Sequence, residues 1–432
     1  MSTKQTSDYS NWSKEDLIAK IKSLEAPHDA ASSVTTTESM VKDQAASTPQ
    51  IKQSSSQKKE AKVFDWSKHN TRFVALRFAY LGWNYNGLAM QFEQTPLPTI
   101  EETILQVLAK VKLVPEPLDE VQFSRCGRTD KGVSAMNQVI SINLRSNLTP
   151  EEQTLEGNDL REIDYLSVIN GNLPPDIKMH SICLRPPPDF DARFSCKSRH
   201  YRYLFKKTNH LDIDLMNQAA MYYEGHHDFR NFCKLDGSKQ ITNFERYIYR
   251  SRIIPLGGDL YCFDLQGTAF LWHQVRCMVA ILFLVGQQLE KPEIVLDLMD
   301  MTKYPTKPLY EMANDKPLVL YDCEFPAMEW HTADNYHKFT RLHSSFRELQ
   351  YDLAIKSQMS DIMSKVLFDN KQEYRDAIEE SLANSVPLGD GIGRGFAGYT
   401  PLDKRQRSED YETINTRWMQ RRGAKRMIKK DS

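Results

Sequence analysis

The chain is predicted to be α+β: two similar lobes with mainly antiparallel sheets, followed by a helical C-terminal extension. Three observations lead there. Strand-length and helix-length apolar runs alternate from about residue 64 to 335. The blocks before Pro186, Pro187 and Pro188 are matched in kind, though not in sequence, by the blocks after them. Beyond residue 335 strand-like runs cease and helical spacing takes over.

The elements follow in order. Residues 13–25 place Leu17, Ile18, Ile21 and Leu24 at helical spacing behind a Ser13 cap. A Ser/Thr/Ala/Gln/Lys-rich stretch then runs to about residue 60, too poor in apolar side chains to order itself. Phe73 to Tyr80 reads as a buried strand. Thr99 and Glu102 form a capping box before a helix with Ile104, Leu108 and Val111 on one face. Residues 121–124 and 137–144 read as strands, and 163–169 as helix-like. In the second block 199–206, 246–254 and 260–267 read as strands, and 214–223 and 270–289 as helices. Residues 339–384 read as largely helical, and the glycine-rich GDGIGRGFAG after them as a linker. The expected divisions are therefore 1–62, a short helix and a disordered stretch; 63–185, the first lobe; 186–335, the second; and 336–432, the extension with its tail.

Composition narrows the classes. With 40% hydrophobic and 26% charged residues, the bulk reads as an ordinary soluble globular protein. A net charge of −1 gives no global argument for nucleic acid, so any such argument rests on local clusters. Seven cysteines are scattered without C-x-x-C or paired spacing, which argues against a zinc site or a disulfide framework and suits a reducing compartment. The N-terminus lacks the apolar run of a signal peptide, and Met278 to Gly286 is too short to span a bilayer. No metal, cofactor or membrane partner is expected.

Three segments carry candidate chemistry. In SRCGRTDKGVSA, Asp130 sits on a tight turn among Arg125, Arg128 and Lys131, between Gly127 and Gly132. Taken alone, that reads as a solvated turn whose charges cancel, and the rest of the sequence has to argue otherwise. In DARFSCKSRHYRYLFKK, residues 191–207, Arg193, Arg199 and Arg202 interleave with Tyr201 and Tyr203. Strand alternation puts Arg199, Tyr201 and Tyr203 on one face. Cations that neutralise phosphates beside rings that stack on bases suit single-stranded RNA; an amphipathic strand with a solvated basic edge is the structural alternative. In GTAFLWHQVRCMVAILFLVGQ, Arg276 lies in an apolar helix. It either snorkels to the rim or needs an anion, which an Asp on a turn elsewhere could supply.

The order G-R-T-D-x-G-V-x-A, A-R-F-S-x-x-x-R-x-Y-x-Y, F-x-x-x-x-V-R, with YLGWNYNG before and NLPPDI between, resembles the TruA family of tRNA pseudouridine synthases from about residue 72 to 326. The resemblance implies a nucleophilic aspartate at Asp130, an arginine entering the RNA duplex at Arg128, a base-stacking tyrosine at Tyr201 and the nucleophile's arginine partner at Arg276. It also implies an apolar wall of the uracil pocket at Leu318 or Leu320. HDFRNFCKLD, WHQVRCMVAILFLVGQ and Ser134 are similar to a eukaryotic branch acting at tRNA positions 38 and 39. The implied architecture is two sheets abutting around a basic cleft, in a homodimer bound to tRNA. The branch and the basic residues from Arg417 to Lys430 imply nucleus and cytoplasm.

The chemistry agrees with that expectation. Turning uridine into its C-glycoside breaks one bond and forms another without redox change or energy input. One ionised carboxylate can serve, by bonding transiently to sugar or base or by removing a sugar proton. A uracil in an RNA stem must first be flipped out, and cations on the backbone with a ring under the base meet that need. An aspartyl phosphoryl-transfer enzyme and a non-catalytic RNA-binding protein are the competing classes. The first is disfavoured because Gly132, Val133 and Ser134, rather than a second acid, follow Asp130.

Overall fold

The computed structural model describes residues 64–428 except 92, 117–120, 384–385, 388, 390–392 and 395–397. The predicted helix at 13–25, the stretch to residue 62 and the side chains of Lys425, Arg426, Lys429 and Lys430 lie outside the described residues. Among the described residues no helix is long and apolar enough to cross a membrane.

The fold is mixed α/β, built on one nine-stranded sheet that is antiparallel at every pairing but one. Its first part is β1 (Asn70–Tyr80), β2 (Ser124–Arg125), β3 (Ser134–Ser146) and β4 (Ile177–Cys183). Its second is β5 (Ser198–Lys206), β6 (Gly225–Asp228), β7 (Glu245–Gly257) and β8 (Leu260–Gly267). A late strand, β9 (Leu318–Glu324), joins them, giving the order β4-β1-β3-β9-β5-β8-β7-β6, with β2 on β3. β9 runs parallel to β3, matching Ser134 to Val319 and Ala135 to Leu320, and antiparallel to β5, matching Tyr203 to Leu318.

Two hydrophobic clusters lie along this sheet. In the first, Ile104 and Leu108 of α1 (Ile100–Lys110) are buried in one cluster with Leu76 of β1 and Ile140 of β3. Thr99 caps α1 by accepting from the Glu102 amide at 3.2 Å, satisfying one of the helix's orphan donors. In the second, α4 (Gln274–Gly286) packs with α3 (Ile213–Met221) against β5, β7 and β8. Every residue of α4 except Arg276 is buried, as a helix apolar on all sides requires. Tyr201 packs against both clusters.

Between these lie α2 (Tyr165–Asn170) and, later, α5 (Ile294–Met299). The extension opens with α6 (Tyr336–Asn370), 35 residues without a buried one. It continues through α7 (Arg375–Ala383) and the two-residue strands β10 (Val386–Pro387) and β11 (Gly393–Arg394). Of the glycine-rich stretch, Gly389 lies against the Tyr203 hydroxyl, where a Cβ would have no room. The last helix, α8 (Tyr411–Ile428), packs beside Gly237, whose missing side chain leaves space for Trp418.

The predicted helix at 270–289 starts late. His273 adopts φ 62°, a left-handed conformation that cannot be the interior of a right-handed helix. The regular turns therefore begin at Gln274.

Candidate active site

The turn bearing Asp130 is fixed from four directions. Arg199 donates to the Cys126 carbonyl at 2.9 Å, and the Gln138 side-chain amide to the Gly127 carbonyl at 3.0 Å. The Leu88 amide donates to the Thr129 carbonyl at 3.1 Å, and the Thr129 hydroxyl meets the buried Tyr80 hydroxyl at 2.7 Å. A final bond from Val133 N to Asp130 O, 3.2 Å, closes the turn. Gly132 has φ 80°, and a Cβ there would sit 2.6 Å from an Asp315 carboxylate oxygen. A Cβ on Gly127 would meet nothing closer than Arg199 at 3.7 Å. Only Gly132 is therefore demanded by backbone and space together.

Asp130 is half-buried at the wall of a cavity of about 1250 Å³. Its Oδ1 accepts from the indole Nε1 of Trp272 at 3.2 Å, and its Oδ2 lies 3.4 Å from His273 Nε2. Burial pushes the carboxyl up from its ordinary range; the Arg276 charge and the indole bond pull it back, and Asp315 adds to the rise. His273 is pushed down to about 4, first by burial and then by Arg276, Lys234 and Lys307. Its ring is therefore neutral near pH 7, and its contact with Asp130 is not an ion pair. Its Nδ1 is buried without a hydrogen-bond partner among the described residues.

Arg276 is placed within electrostatic reach of Asp130 and bonded elsewhere. Its Nε donates to the Ala313 carbonyl at 2.7 Å, and its terminal nitrogen lies 3.9 Å from Asp315. Tyr201 also lines the cavity, edge-on to Phe270 with ring centroids 5.0 Å apart, and burial drives its phenol far above its ordinary range. Arg128, Lys131 and Arg193 line the same cavity and are exposed, and Leu318 lines it from β9. Lys234 and Lys239, which sequence reasoning did not single out, join them, so cations outnumber carboxylates on this wall.

Other candidates are placed differently. Arg125 lines the cavity but is ion-paired with the buried Glu101. Arg199 spends its guanidinium on the carbonyls of Cys126, Arg193 and Thr268. Arg202 lies on the opposite face of β5 from Tyr201, bonded to Asp264 at 2.9 Å and over the Tyr321 ring. Leu320 is fully buried in the first cluster and away from the cavity wall. Trp272 and His273 were missed as site residues. The only signal for them was a polar-aromatic pair just ahead of an apolar helix.

Residues 219–326 match the family model described as tRNA pseudouridine synthase. Across 427 residues, 98% of this chain and 94% of the other, the sequence is 53% identical to the tRNA pseudouridine(38/39) synthase of Saccharomyces cerevisiae. It is 40% identical to the Homo sapiens protein of that name, over 79% of this chain and 70% of that one. It is 32% identical to tRNA pseudouridine synthase A of Methanococcoides burtonii, over 60% of this chain and 84% of that one. With that likeness running nearly end to end, and the cavity formed by the very motifs that resembled TruA, the chain belongs to the TruA family of tRNA pseudouridine synthases.

Proposed function

We propose that this chain is an isomerase that converts uridine to pseudouridine at positions 38 and 39 of tRNA, with Asp130 as the reacting carboxylate. The observation that carries the reading is Asp130 itself: a carboxylate desolvated at a cavity wall, aimed by the Trp272 indole and kept ionisable by the Arg276 field. The cavity, at about 1250 Å³, is larger than a typical small-molecule site, which suits a flipped nucleotide with its neighbours.

In this reading the two hydrophobic clusters are two lobes, residues 63–185 and 186–335, and the cavity is the basic cleft where they meet. The phosphates run over Arg128, Lys131 and Arg193, the flipped uracil stacks on Tyr201, and Leu318 packs against its edge. Arg276 has two duties, holding the Ala313 carbonyl and biasing Asp130 toward its ionised form. The functional unit is a homodimer, in which remote contacts from the partner help select the 38 and 39 positions.

The test is release of tritium from tRNA carrying C5-labelled uridine. The wild-type chain releases it, and Asp130→Asn does not while keeping tRNA affinity within about tenfold, because phosphate contacts dominate binding. Turnover by Asp130→Asn would refute the aspartate. Binding without release by the wild type would leave an RNA-binding protein.

A further inference from the structure

Cysteines that are far apart in the sequence meet in the fold. Cys126 follows β2 on the turn that leads to Asp130, Cys196 lies in the segment before β5, and Cys323 lies in β9. Their three sulfurs all lie within 4.8 Å of one another. Cys126 and Cys323 are buried and Cys196 is partly exposed. The backbone around them is tightly registered: Cys126 N donates to Val139 O at 2.8 Å, Lys197 N to Glu324 O at 2.8 Å, and Arg199 is matched to Cys323 across β5 and β9. The scattered spacing that argued against a metal site thus conceals a convergence that only the topology creates.

A second observation concerns charge. Arg199 is half-buried beside this cluster and interacts electrostatically with all three thiols. Its hydrogen bonds go to three carbonyl oxygens, and among the described residues no carboxylate pairs with it. A guanidinium withdrawn from water calls for an anion, and a thiolate of this cluster is the group placed to supply it.

We infer that Cys126, Cys196 and Cys323 form a binding site for one thiophilic divalent cation of the zinc type. Three thiolates and one M²⁺ carry a net charge of −1, which the Arg199 guanidinium balances. Formation is balanced as M²⁺ plus three cysteine sulfurs giving the tris-thiolate complex plus one proton for each sulfur that starts as a thiol, so affinity rises with pH. Solvent completes the fourth position on the side where Cys196 is partly exposed, as in three-ligand zinc sites. A disulfide would consume two of the sulfurs and strand the third. The bound ion would tie the turn before Asp130 to β5 and β9, a structural duty separate from the chemistry at the cavity.

The test uses the full chain, reduced and freed of metal, titrated anaerobically with Co(II). One equivalent is expected to develop thiolate-to-cobalt charge-transfer absorption that Zn(II) abolishes by displacement. Cys196→Ser, the substitution least disruptive to packing, should lose most of that absorption while its far-ultraviolet circular dichroism stays native. Cys262→Ala, which removes a cysteine outside the cluster, should keep it. Absence of the absorption in the folded wild type, or its survival in both Cys196→Ser and Cys126→Ala, overturns the site. A Cys126–Cys196 disulfide in the isolated protein, with no Co(II) binding after reduction, also overturns it, in favour of a redox pair. Each readout is independent of isomerase activity.

Discussion

The indole Nε1 of Trp272 donates to Oδ1 of Asp130 across 3.2 Å, linking the residue just ahead of α4 to the turn after β2. This bond favours the ionised carboxylate, against a burial that disfavours it. Trp272→Phe keeps an aromatic ring and removes the donor. Asp130 then binds its proton more tightly, so the acid limb of the kcat/KM profile should move to higher pH. On the acid limb the rate should fall about tenfold, the scale of one hydrogen bond to a charged group, and the deficit should shrink as pH rises. A purely vertical drop at all pH values would assign the indole to RNA contact instead.

Asp315 works in the other direction. It raises the Asp130 carboxyl by repulsion and partly neutralises Arg276 at 3.9 Å. Asp315→Asn removes the repulsion and leaves the full Arg276 charge facing the site. Both effects stabilise ionised Asp130, so the acid limb should move to lower pH. An acid limb that stays in place would show that another group controls it.

Arg276→Met removes the strongest influence holding Asp130 down. It also strips the Ala313 carbonyl of its donor. A large rate loss is expected, partly recovered at higher pH, together with a fall in Tm from the lost hydrogen bond at a cost of about 1–3 kcal/mol. Wild-type rate with lowered Tm would make Arg276 purely structural.

Gly132 and Gly127 flank the same turn with different requirements. Gly132→Ala meets both φ 80° and an Asp315 oxygen 2.6 Å from the new Cβ. It should cost about 1–2 kcal/mol from the left-handed backbone alone. Gly127→Ala, with its nearest neighbour at 3.7 Å, should be near neutral. Equal destabilisation in denaturant melts would contradict this geometry.

How much of this was readable beforehand depends on whether neighbours in space are neighbours in sequence. Strand alternation put Tyr201 and Arg199 on one face, and the capping box placed α1, because both rest on residues a few positions apart. The alternation also put Arg202 on the other face, yet its cationic character suggested RNA until Asp264 was seen opposite it. β9 carried no alternating pattern to announce it, since Leu318, Val319 and Leu320 are all buried between β3 and β5. Without β9 the sheet reads as two. Cys323 and Leu318 depend on that strand, so neither the sulfur cluster nor which of the two leucines, Leu318 or Leu320, lines the cavity was legible. His273 was hidden differently: its left-handed φ is set by tertiary context, and nothing local marks it.

The exposed cations offer the last discrimination, between residues that meet phosphate and residues that only look as if they should. Arg128, Lys131 and Arg193 line the cavity without an ion-pair partner among the described residues. Each one replaced by Ala should reduce the slope of log affinity against log salt by about 0.7–0.9 if it neutralises one phosphate. Arg202 is committed to Asp264, which also receives His200 at 2.7 Å and Arg250 at 3.0 Å on the far face of the sheet. Arg202→Ala should therefore leave the salt slope unchanged and lower the Tm instead, because it withdraws one of the cations compensating a buried carboxylate. Filter binding of tRNA across a salt series, paired with thermal melts, separates the two behaviours. A reduced slope for Arg202→Ala with unchanged Tm would place RNA on the opposite face of β5 and so remove the cavity as the RNA path.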